Sequence, residues 1–293
     1  RMSSTVHHGP KAYYVPEGSP WPITAMLSVF LMLAGTALAI NQVSFGGWMV
    51  LAGFALLCVM FYGWFGDVIK ENLTDRYNEQ VDRSFRQGMF WFIASEVFFF
   101  LSFFGALFYI RTIALPWLGG EGYLGETGAL LYNQFVADWP SAGPEQVGGE
   151  FAPMGAWGIP AINTLILLTS GATVTWAHWG LKENNQKKLV RGLAATIALG
   201  LLFVALQAYE YRHAYHDLNL TLESGVYGST FYMLTGFHGF HVTMGAVMLM
   251  AILARAMKGH FSPHNHFAFE AVAWYWHFVD VVWLGLFVFV YWL

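Results

Sequence analysis

Seven long apolar segments, separated by polar connections, run through this sequence. They cover about residues 23–41, 46–66, 88–110, 160–178, 190–211, 227–254 and 267–293. A helix needs about 20 residues to cross the hydrocarbon core of a bilayer, and each segment is close to that length or longer. Because lipid supplies no hydrogen-bond partners for the backbone, a helix, which satisfies its own backbone groups, is expected for each segment. We therefore predict an all-α membrane protein with seven transmembrane helices.

The composition agrees with a chain that has lipid as its main solvent. Only 11% of the 293 residues are charged, against about 25% in soluble domains, so there is too little charge to cover the surface of a globule. The strands of a transmembrane barrel alternate apolar and polar side chains, whereas the run from Leu199 to Leu206 does not alternate. The net charge of -4 gives no indication of a nucleic-acid partner. We treat residues 1–293 as a single seven-helix domain.

The positive charges fall on one side of this predicted arrangement. Four Lys and Arg residues follow the second segment, four follow the fourth, two follow the sixth and two precede the first. The remaining two lie after the third and fifth segments, so 12 of the 14 share one side. The positive-inside rule then predicts a cytoplasmic N-terminus and a periplasmic C-terminus. The one long connection, residues 111–160, is expected on the periplasmic side.

Glu96 is the most conspicuous polar residue inside a segment. An ionisable group there costs about 2.5–3.5 kcal/mol on insertion scales and is by default a functional hypothesis. At helical spacing its face carries Phe92, Phe99, Phe100 and Phe103, which makes that face apolar. Two interpretations remain open: a carboxyl that handles protons or lies at an interface, or a neutral acid that hydrogen-bonds to a neighbouring helix.

His238 and His241 lie three residues apart in the sixth segment and share a helical face. This spacing could offer two metal ligands, although a third ligand or a histidine such as His277 would be needed from another helix. The alternative is hydrogen bonding between helices, and we predict no metal ligands and no catalytic residues in the chain. The residues that we assign to structural helix–helix polar contacts are His178, Glu210, His238, His241, Glu270, His277 and Asp280.

Other features concern the membrane surface and the cysteine content. Arg255, Lys258 and His260 follow the sixth segment, and His264 and His266 precede the seventh; they either attract anionic lipid head groups or reflect only the positive-inside bias. His7 and His8 could collect protons near neutral pH or belong to a solvated tail. The single cysteine, Cys58, excludes an intramolecular disulfide, a c-type haem and a two-cysteine copper centre.

Several strings in the sequence match a known family. They are RQGMFWFIASEVFFF at 86–100, INT at 162–164 with TWAH at 175–178, QAYEY at 207–211, GVYGSTF at 225–231 with TGFHGFHV at 235–242, and FAFEAVAWYWHFVDVVW at 267–283. In these strings the chain closely resembles subunit III of the A-type haem–copper oxidases, specifically bacterial cytochrome c oxidase subunit III. The match covers essentially all seven segments.

The resemblance implies a fold and a role. Helices one and two would form one group and helices three to seven another, with a V-shaped, phospholipid-filled cleft between them. The chain would hold no haem or copper, which are expected in subunits I and II, where electrons pass from cytochrome c to oxygen and protons are pumped. Its role would be to stabilise subunit I, its main contact, and to support proton uptake and oxygen access. Small accessory subunits or a respiratory supercomplex are further partners that fit, and the expected location is the bacterial inner membrane.

The resemblance also implies roles for individual residues. Glu96 matches the intramembrane glutamate of the family that reacts with carbodiimides. Lipid contact is implied for Trp64, Glu96, Arg255, Lys258 and His260. Two departures from the family pattern are Gly66, which stands where an arginine is common, and Trp179, which stands where a second histidine is common.

Two other classes of protein remain as alternatives. A stand-alone proton or ion transporter would use Glu96, Glu210 and Asp280 as a relay, and a di-haem cytochrome b would use His238, His241 or His277 as axial ligands. The short first connection and the lack of internal repeats argue against inverted-repeat transporters.

Overall fold

The computed structural model describes residues 14–15, 18–144, 146 and 149–293. Within this part of the chain, seven helices are long and apolar enough to cross a membrane, and the remaining structure is short helices, turns and one isolated bridge between Ser262 and Asn265. The prediction of an all-α protein with seven transmembrane helices is therefore confirmed. That residues 1–293 form a single domain stays a prediction.

Nine α-helices are formed in the described residues. In chain order they are α1 (Trp21–Ile40), α2 (Gly46–Leu73), α3 (Glu79–Tyr109), α4 (Leu115–Leu118), α5 (Gly125–Leu131), α6 (Ile159–Lys182), α7 (Gln186–Asp217), α8 (Gly225–Met257) and α9 (Phe267–Leu286). A π-helical stretch, Ile110–Ala114, joins α3 to α4, and another, Phe287–Trp292, continues α9.

Several helices extend beyond the apolar segments that predicted them. The third segment begins at about residue 88, but α3 begins at Glu79. The extra turns contain ion pairs at i, i+4 spacing, Arg86 to Asp82 at 2.7 Å and Arg83 to Glu79 at 3.7 Å, a spacing that stabilises a helix in water. An apolar run therefore marks the part of a helix that lies in hydrocarbon, and the helix itself continues into the polar region.

The described chain forms two compact units, which divide between Gln87 and Gly88. In the first unit α1 packs along α2, and the indole Nε1–H of Trp21 donates to Asp67 at 2.8 Å. The hydroxyls of Tyr14 and Tyr77 donate to the two carboxylate oxygens of Glu71, at 2.9 and 2.7 Å. Burial, together with the hydrogen bond to Glu71, raises the pKa of Tyr77 above its usual value. Asp67 and Glu71, near the end of α2, thus find partners inside the unit.

In the second unit tryptophans of α9 fill the space between helices. Trp276 and Trp283 are fully buried. The indole Nε1–H of Trp276 donates to Ser170 Oγ of α6 at 2.9 Å, and that of Trp283 donates to Thr164 Oγ1 of α6, also at 2.9 Å. Each ring therefore buries a large apolar area and still satisfies its one donor, as a buried indole requires.

The long connection between α3 and α6 is not a free loop. Arg111 donates to the backbone carbonyl of Leu293 at 2.8 Å, and its guanidinium lies 5.1 Å from the ring centre of Trp139. Trp139 and Phe151 both pack on Tyr227 of α8, with ring centres 5.5 and 5.3 Å away. The connection is thereby attached to the beginning of α8 and the end of the chain.

We expect Trp276→Phe to destabilise the protein by roughly 1 kcal/mol or more. The change keeps an aromatic ring but removes the donor to Ser170, and hydrogen bonds between transmembrane helices contribute about 0.6–1.7 kcal/mol. Thermal unfolding of the purified protein in mild detergent would measure the change. Trp274→Phe, at a half-exposed position of the same helix, is the matched control and should have little effect. Equal melting temperatures for the two variants would contradict a stabilising hydrogen bond from Trp276 to Ser170.

Candidate functional site

Glu96 and His241 form a pair between α3 and α8. Glu96 Oε2 lies 2.9 Å from His241 Nε2, and the two side chains are 22% and 9% exposed. The other ring nitrogen of His241, Nδ1, lies 2.6 Å from the carbonyl oxygen of Phe237, one turn earlier in α8. Sequence patterns singled out both residues, but only the fold brings them together.

The hydrogen bonds of this pair determine how many protons it holds. A carbonyl oxygen can only accept, so His241 Nδ1 carries a hydrogen that it donates to Phe237. One further proton then lies between Glu96 Oε2 and His241 Nε2, either as a neutral acid beside a neutral imidazole or as a carboxylate beside an imidazolium. Both forms are neutral overall, which limits the cost of burial in hydrocarbon. The proton can move between the two atoms without any change of partners.

Aromatic rings surround the pair. Phe100 lies edge-on to His241 with ring centres 5.0 Å apart, and Tyr275 of α9 stacks on the same imidazole at 6.2 Å. Phe99 packs edge-on against Phe237 at 5.0 Å. The aromatic face predicted for Glu96 therefore becomes the contact surface of α3 with α8 and α9, and it keeps the shared proton in apolar surroundings.

His238, although three residues from His241, has different partners. Its Nε2–H donates to the carbonyl of Val279 in α9 at 3.2 Å. Its ring packs against those of Phe203 and Trp283, 5.6 and 5.1 Å away, and is almost fully buried. His241 Nε2 thus bonds to α3 whereas His238 Nε2 bonds to α9, so the two imidazoles do not share a common ligand.

Glu210 lies on α7 and is 1% exposed. Its Oε1 accepts a hydrogen bond of 2.6 Å from the hydroxyl of Tyr291, which lies in the π-helical end of the chain. Sequence analysis did not single out Tyr291, because nothing in its local pattern differs from other interfacial tyrosines. The bond ties the π-helical stretch Phe287–Trp292 to α7.

Glu270 lies at the beginning of α9 beside two histidines. Its Oε1 is 3.1 Å from His266 Nε2 and 3.6 Å from His178 Nε2 of α6. In the described part of the chain, these side chains are the one group of three or more His, Cys, Asp or Glu residues that could hold a metal ion. Their possible ligand atoms all lie within 4.8 Å of one another. Two imidazoles and a carboxylate are a donor set that suits zinc. The sequence indicated Glu270 and His178 separately. The i, i+4 spacing of His266 and Glu270 was a signal that could have paired those two residues. No sequence signal brought His178 to them.

His277 and Asp280 are neighbours on α9 at i, i+3 spacing. His277 Nδ1 lies 3.5 Å from Asp280 Oδ2, and His277 Nε2 lies 3.3 Å from the hydroxyl of Thr175 on α6. The imidazole is half exposed whereas the carboxylate is buried. Glu270, also on α9, belongs to a separate group at the beginning of the helix.

Arg255, Lys258 and His260 surround the end of α8. Gly259, with a φ of +70°, reverses the chain there, so that the N–H of His260 donates to the carbonyl of Arg255 at 3.1 Å. The Arg255 guanidinium lies 4.7 Å from the ring centre of Phe261. Burial, and then the charges of Arg255 and Lys258, lower the pKa of His260, so this surface keeps its positive charge mainly on Arg255 and Lys258 at neutral pH.

The remaining predicted site residues lie elsewhere. Trp64 is on α2 in the first unit, half exposed, with its ring stacked on Phe65 at 5.9 Å. His7 and His8 lie outside the described residues.

The chain has clear relatives. The family model described as cytochrome c oxidase subunit III matches residues 11–121 and 131–293. Cytochrome c oxidase subunit 3 of Cyprinus carpio is 41% identical over 286 residues, which are 97% of this chain and 98% of the relative. The same protein of Latimeria chalumnae is 41% identical and that of Ornithorhynchus anatinus 40% identical, with the same coverage.

The chain belongs to the cytochrome c oxidase subunit III family. The resemblance inferred from its sequence strings is thereby confirmed. As a member of this family with seven membrane-spanning helices, it is a multi-span membrane subunit of an oxidase complex, respiratory complex IV. The polar pairs described above are therefore features of a subunit III.

We expect Glu96→Ala and His241→Ala to be coupled. Either change alone leaves one ionisable group buried without its partner, so the double variant should lose less stability than the two single losses combined, with a coupling energy on the order of 1–3 kcal/mol. Thermal unfolding of the four proteins in detergent completes the cycle. Glu96→Ala with His238→Ala is the control cycle, since His238 bonds to Val279, and it should be additive. Additive losses in both cycles would contradict a shared proton.

Proposed function

We propose that this chain is the non-redox subunit III of a cytochrome c oxidase whose subunits I and II transfer electrons from cytochrome c to oxygen and pump protons. The observation that carries the proposal is the family match over nearly the whole chain. The single cysteine and the protein partners found for His238 and His241 support a chain without its own haem or copper. Subunit I is its proposed main partner, together with subunit II.

Phospholipid is the proposed ligand of the surface at the end of α8. Nε of Arg255 and Nδ1 of His260 are buried atoms with no hydrogen-bond partner among the described residues, and Lys258 is exposed. Nitrogen donors and positive charge at the end of a membrane-spanning helix suit a lipid phosphate. Trp64 and Glu96 are further proposed lipid contacts, and a lipid-filled cleft between two helix groups remains part of this proposal.

The proposed contribution to the complex is indirect. Subunit III would stabilise subunit I and support proton uptake and oxygen access, with His7 and His8 as candidate proton collectors. The Glu96–His241 pair supports a structural role in particular, because it joins α3 to α8 inside the membrane and remains neutral in either protonation form. The charge distribution supports a cytoplasmic N-terminus and a periplasmic C-terminus. The resemblance supports a location in the bacterial inner membrane. Accessory subunits and a supercomplex are further proposed partners.

The test of this function is purification of the tagged chain in mild detergent, followed by an optical spectrum. We expect two larger subunits to copurify, with a haem spectrum and cytochrome c oxidase activity, and we expect the spectrum to stay with those subunits when this chain is removed. A chain that purifies alone and transports protons in vesicles would favour the transporter instead. A Soret band on the isolated chain would mean that its histidines ligate haem.

Removal of the positive charges near α8 should weaken lipid binding. A lysine or arginine near a charged membrane surface contributes about 1 kcal/mol, so Arg255→Ala and Lys258→Ala should each weaken retention of anionic phospholipid about fivefold. Phospholipid that remains on the purified complex can be measured by native mass spectrometry. Arg212→Ala, at an exposed position in α7 and on the predicted opposite side of the membrane, serves as the control and should retain lipid. Unchanged lipid content in all three variants would contradict this site.

A further inference from the structure

His178, His266 and Glu270 form a cluster where α6 ends and α9 begins. His178 lies four residues before the last residue of α6, about 6 Å from the end of that helix at the usual rise. Glu270 lies in the first turn of α9, and His266 immediately precedes that helix. The side chains of His178, Glu270 and His266 are 22%, 13% and 10% exposed. The cluster is therefore largely enclosed by protein but lies at the end of two spans, close to water.

The hydrogen bonds of His266 determine which of its ring nitrogens carries a hydrogen. Its Nδ1 lies 3.0 Å from the carbonyl oxygen of Ser262, and a carbonyl can only accept, so Nδ1 is the donor. In the neutral imidazole Nε2 then has only a lone pair, and it lies 3.1 Å from Glu270 Oε1. Two acceptors repel each other at this distance unless a cation lies between them. Metal-binding histidines donate their second nitrogen to a backbone carbonyl in the same way.

A proton alone does not satisfy the whole cluster. On His266 Nε2 it would be donated to Glu270 Oε1, as in the pair of Glu96 and His241. His178 Nε2 would remain without a partner, because it lies 3.6 Å from Glu270 Oε1, which is too far for a hydrogen bond. This nitrogen is a buried atom with no hydrogen-bond partner among the described residues, and such an atom costs free energy. One metal ion, in contrast, would accept lone pairs from both nitrogens and from the carboxylate.

The spacing of the three atoms suits a tetrahedral ion. Zinc binds imidazole nitrogen and carboxylate oxygen at about 2.0–2.2 Å, which places two ligand atoms about 3.3–3.5 Å apart in a tetrahedron. The distances from Glu270 Oε1 to the Nε2 atoms of His266 and His178 are 3.1 and 3.6 Å, on either side of this range. The side chains are therefore already close to the arrangement that a metal ion needs.

We propose that His178 Nε2, His266 Nε2 and Glu270 Oε1 bind one divalent metal ion, for which zinc is the best fit. Two histidines and a glutamate are a known ligand set for zinc, and three ligands leave one tetrahedral position for water. Calcium and magnesium prefer ligand sets made of oxygen. The ion would link the end of α6 to the beginning of α9. This site departs from the prediction that the chain holds no metal ligands, and it does not depend on the proposed role in an oxidase.

A zinc count on the protein purified in mild detergent, with any subunits that accompany it, tests the proposal. The sample is treated with EDTA, loaded with ZnCl₂ and desalted, and its zinc is measured by inductively coupled plasma mass spectrometry. We expect the unmodified protein to retain one equivalent more than Glu270→Gln or His178→Gln. Each variant should weaken zinc binding by about 100-fold or more, since changes beside the ligands alone cost 10–100-fold. Zinc held by other subunits cancels in this comparison.

His264→Ala is the matched control. His264 is an exposed histidine of the same connection and lies outside the cluster, so this variant should retain zinc like the unmodified protein. Zinc should also raise the melting temperature of these two proteins, but not that of the two ligand variants. Equal zinc in the unmodified protein and in a folded ligand variant would overturn the proposal.

The unmodified protein provides a test that no variant can obscure by folding poorly. Zinc X-ray absorption, measured as the difference between the loaded and the EDTA-treated sample, should show two imidazoles and an oxygen ligand at about 2.0–2.2 Å. Absence of the added zinc, or a spectrum without imidazole ligands, would overturn the site and leave a cluster held together by a proton. A haem spectrum on the copurified subunits would still support the proposed function in that case.

Discussion

The structure depends on one constraint: inside a membrane, every polar group must find its partner in protein. The backbone meets this constraint through seven long helices. The side chains meet it through hydrogen bonds between helices, such as those from Trp276 to Ser170, from Tyr291 to Glu210 and between Glu96 and His241. Each of these bonds also fixes how two parts of the chain lie against each other. The same contacts therefore pair the buried polar groups and set the packing of the helices.

The same constraint links the buried polar groups to function. A pair such as Glu96 and His241 can remain in hydrocarbon because it is neutral with its proton on either atom, and aromatic rings from three helices pack around it. A few buried side-chain atoms, such as Asp280 Oδ1 and Nε of Arg255, have no hydrogen-bond partner among the described residues.

Much of the fold could be predicted from the sequence. The number of spans follows from apolar length alone, and family membership follows from long strings such as the one at 267–283. Contacts one turn apart, such as His277 with Asp280, follow from helical periodicity. The helix ends were less predictable, since α3 begins about nine residues before its apolar segment; ion pairs in water extend it, and hydrophobicity does not report them.

What the sequence by itself determined were the properties that depend on neighbours along the chain: the spans, the placement of charge and the unusual polar residues. Only the tertiary structure decided which of those residues meet. Glu96 and His241 are 145 positions apart, and Glu210 and Tyr291 are 81 apart. Helix rotation and packing set these pairs, and one sequence contains no signal of either. The triad of His178, His266 and Glu270 exists for the same reason.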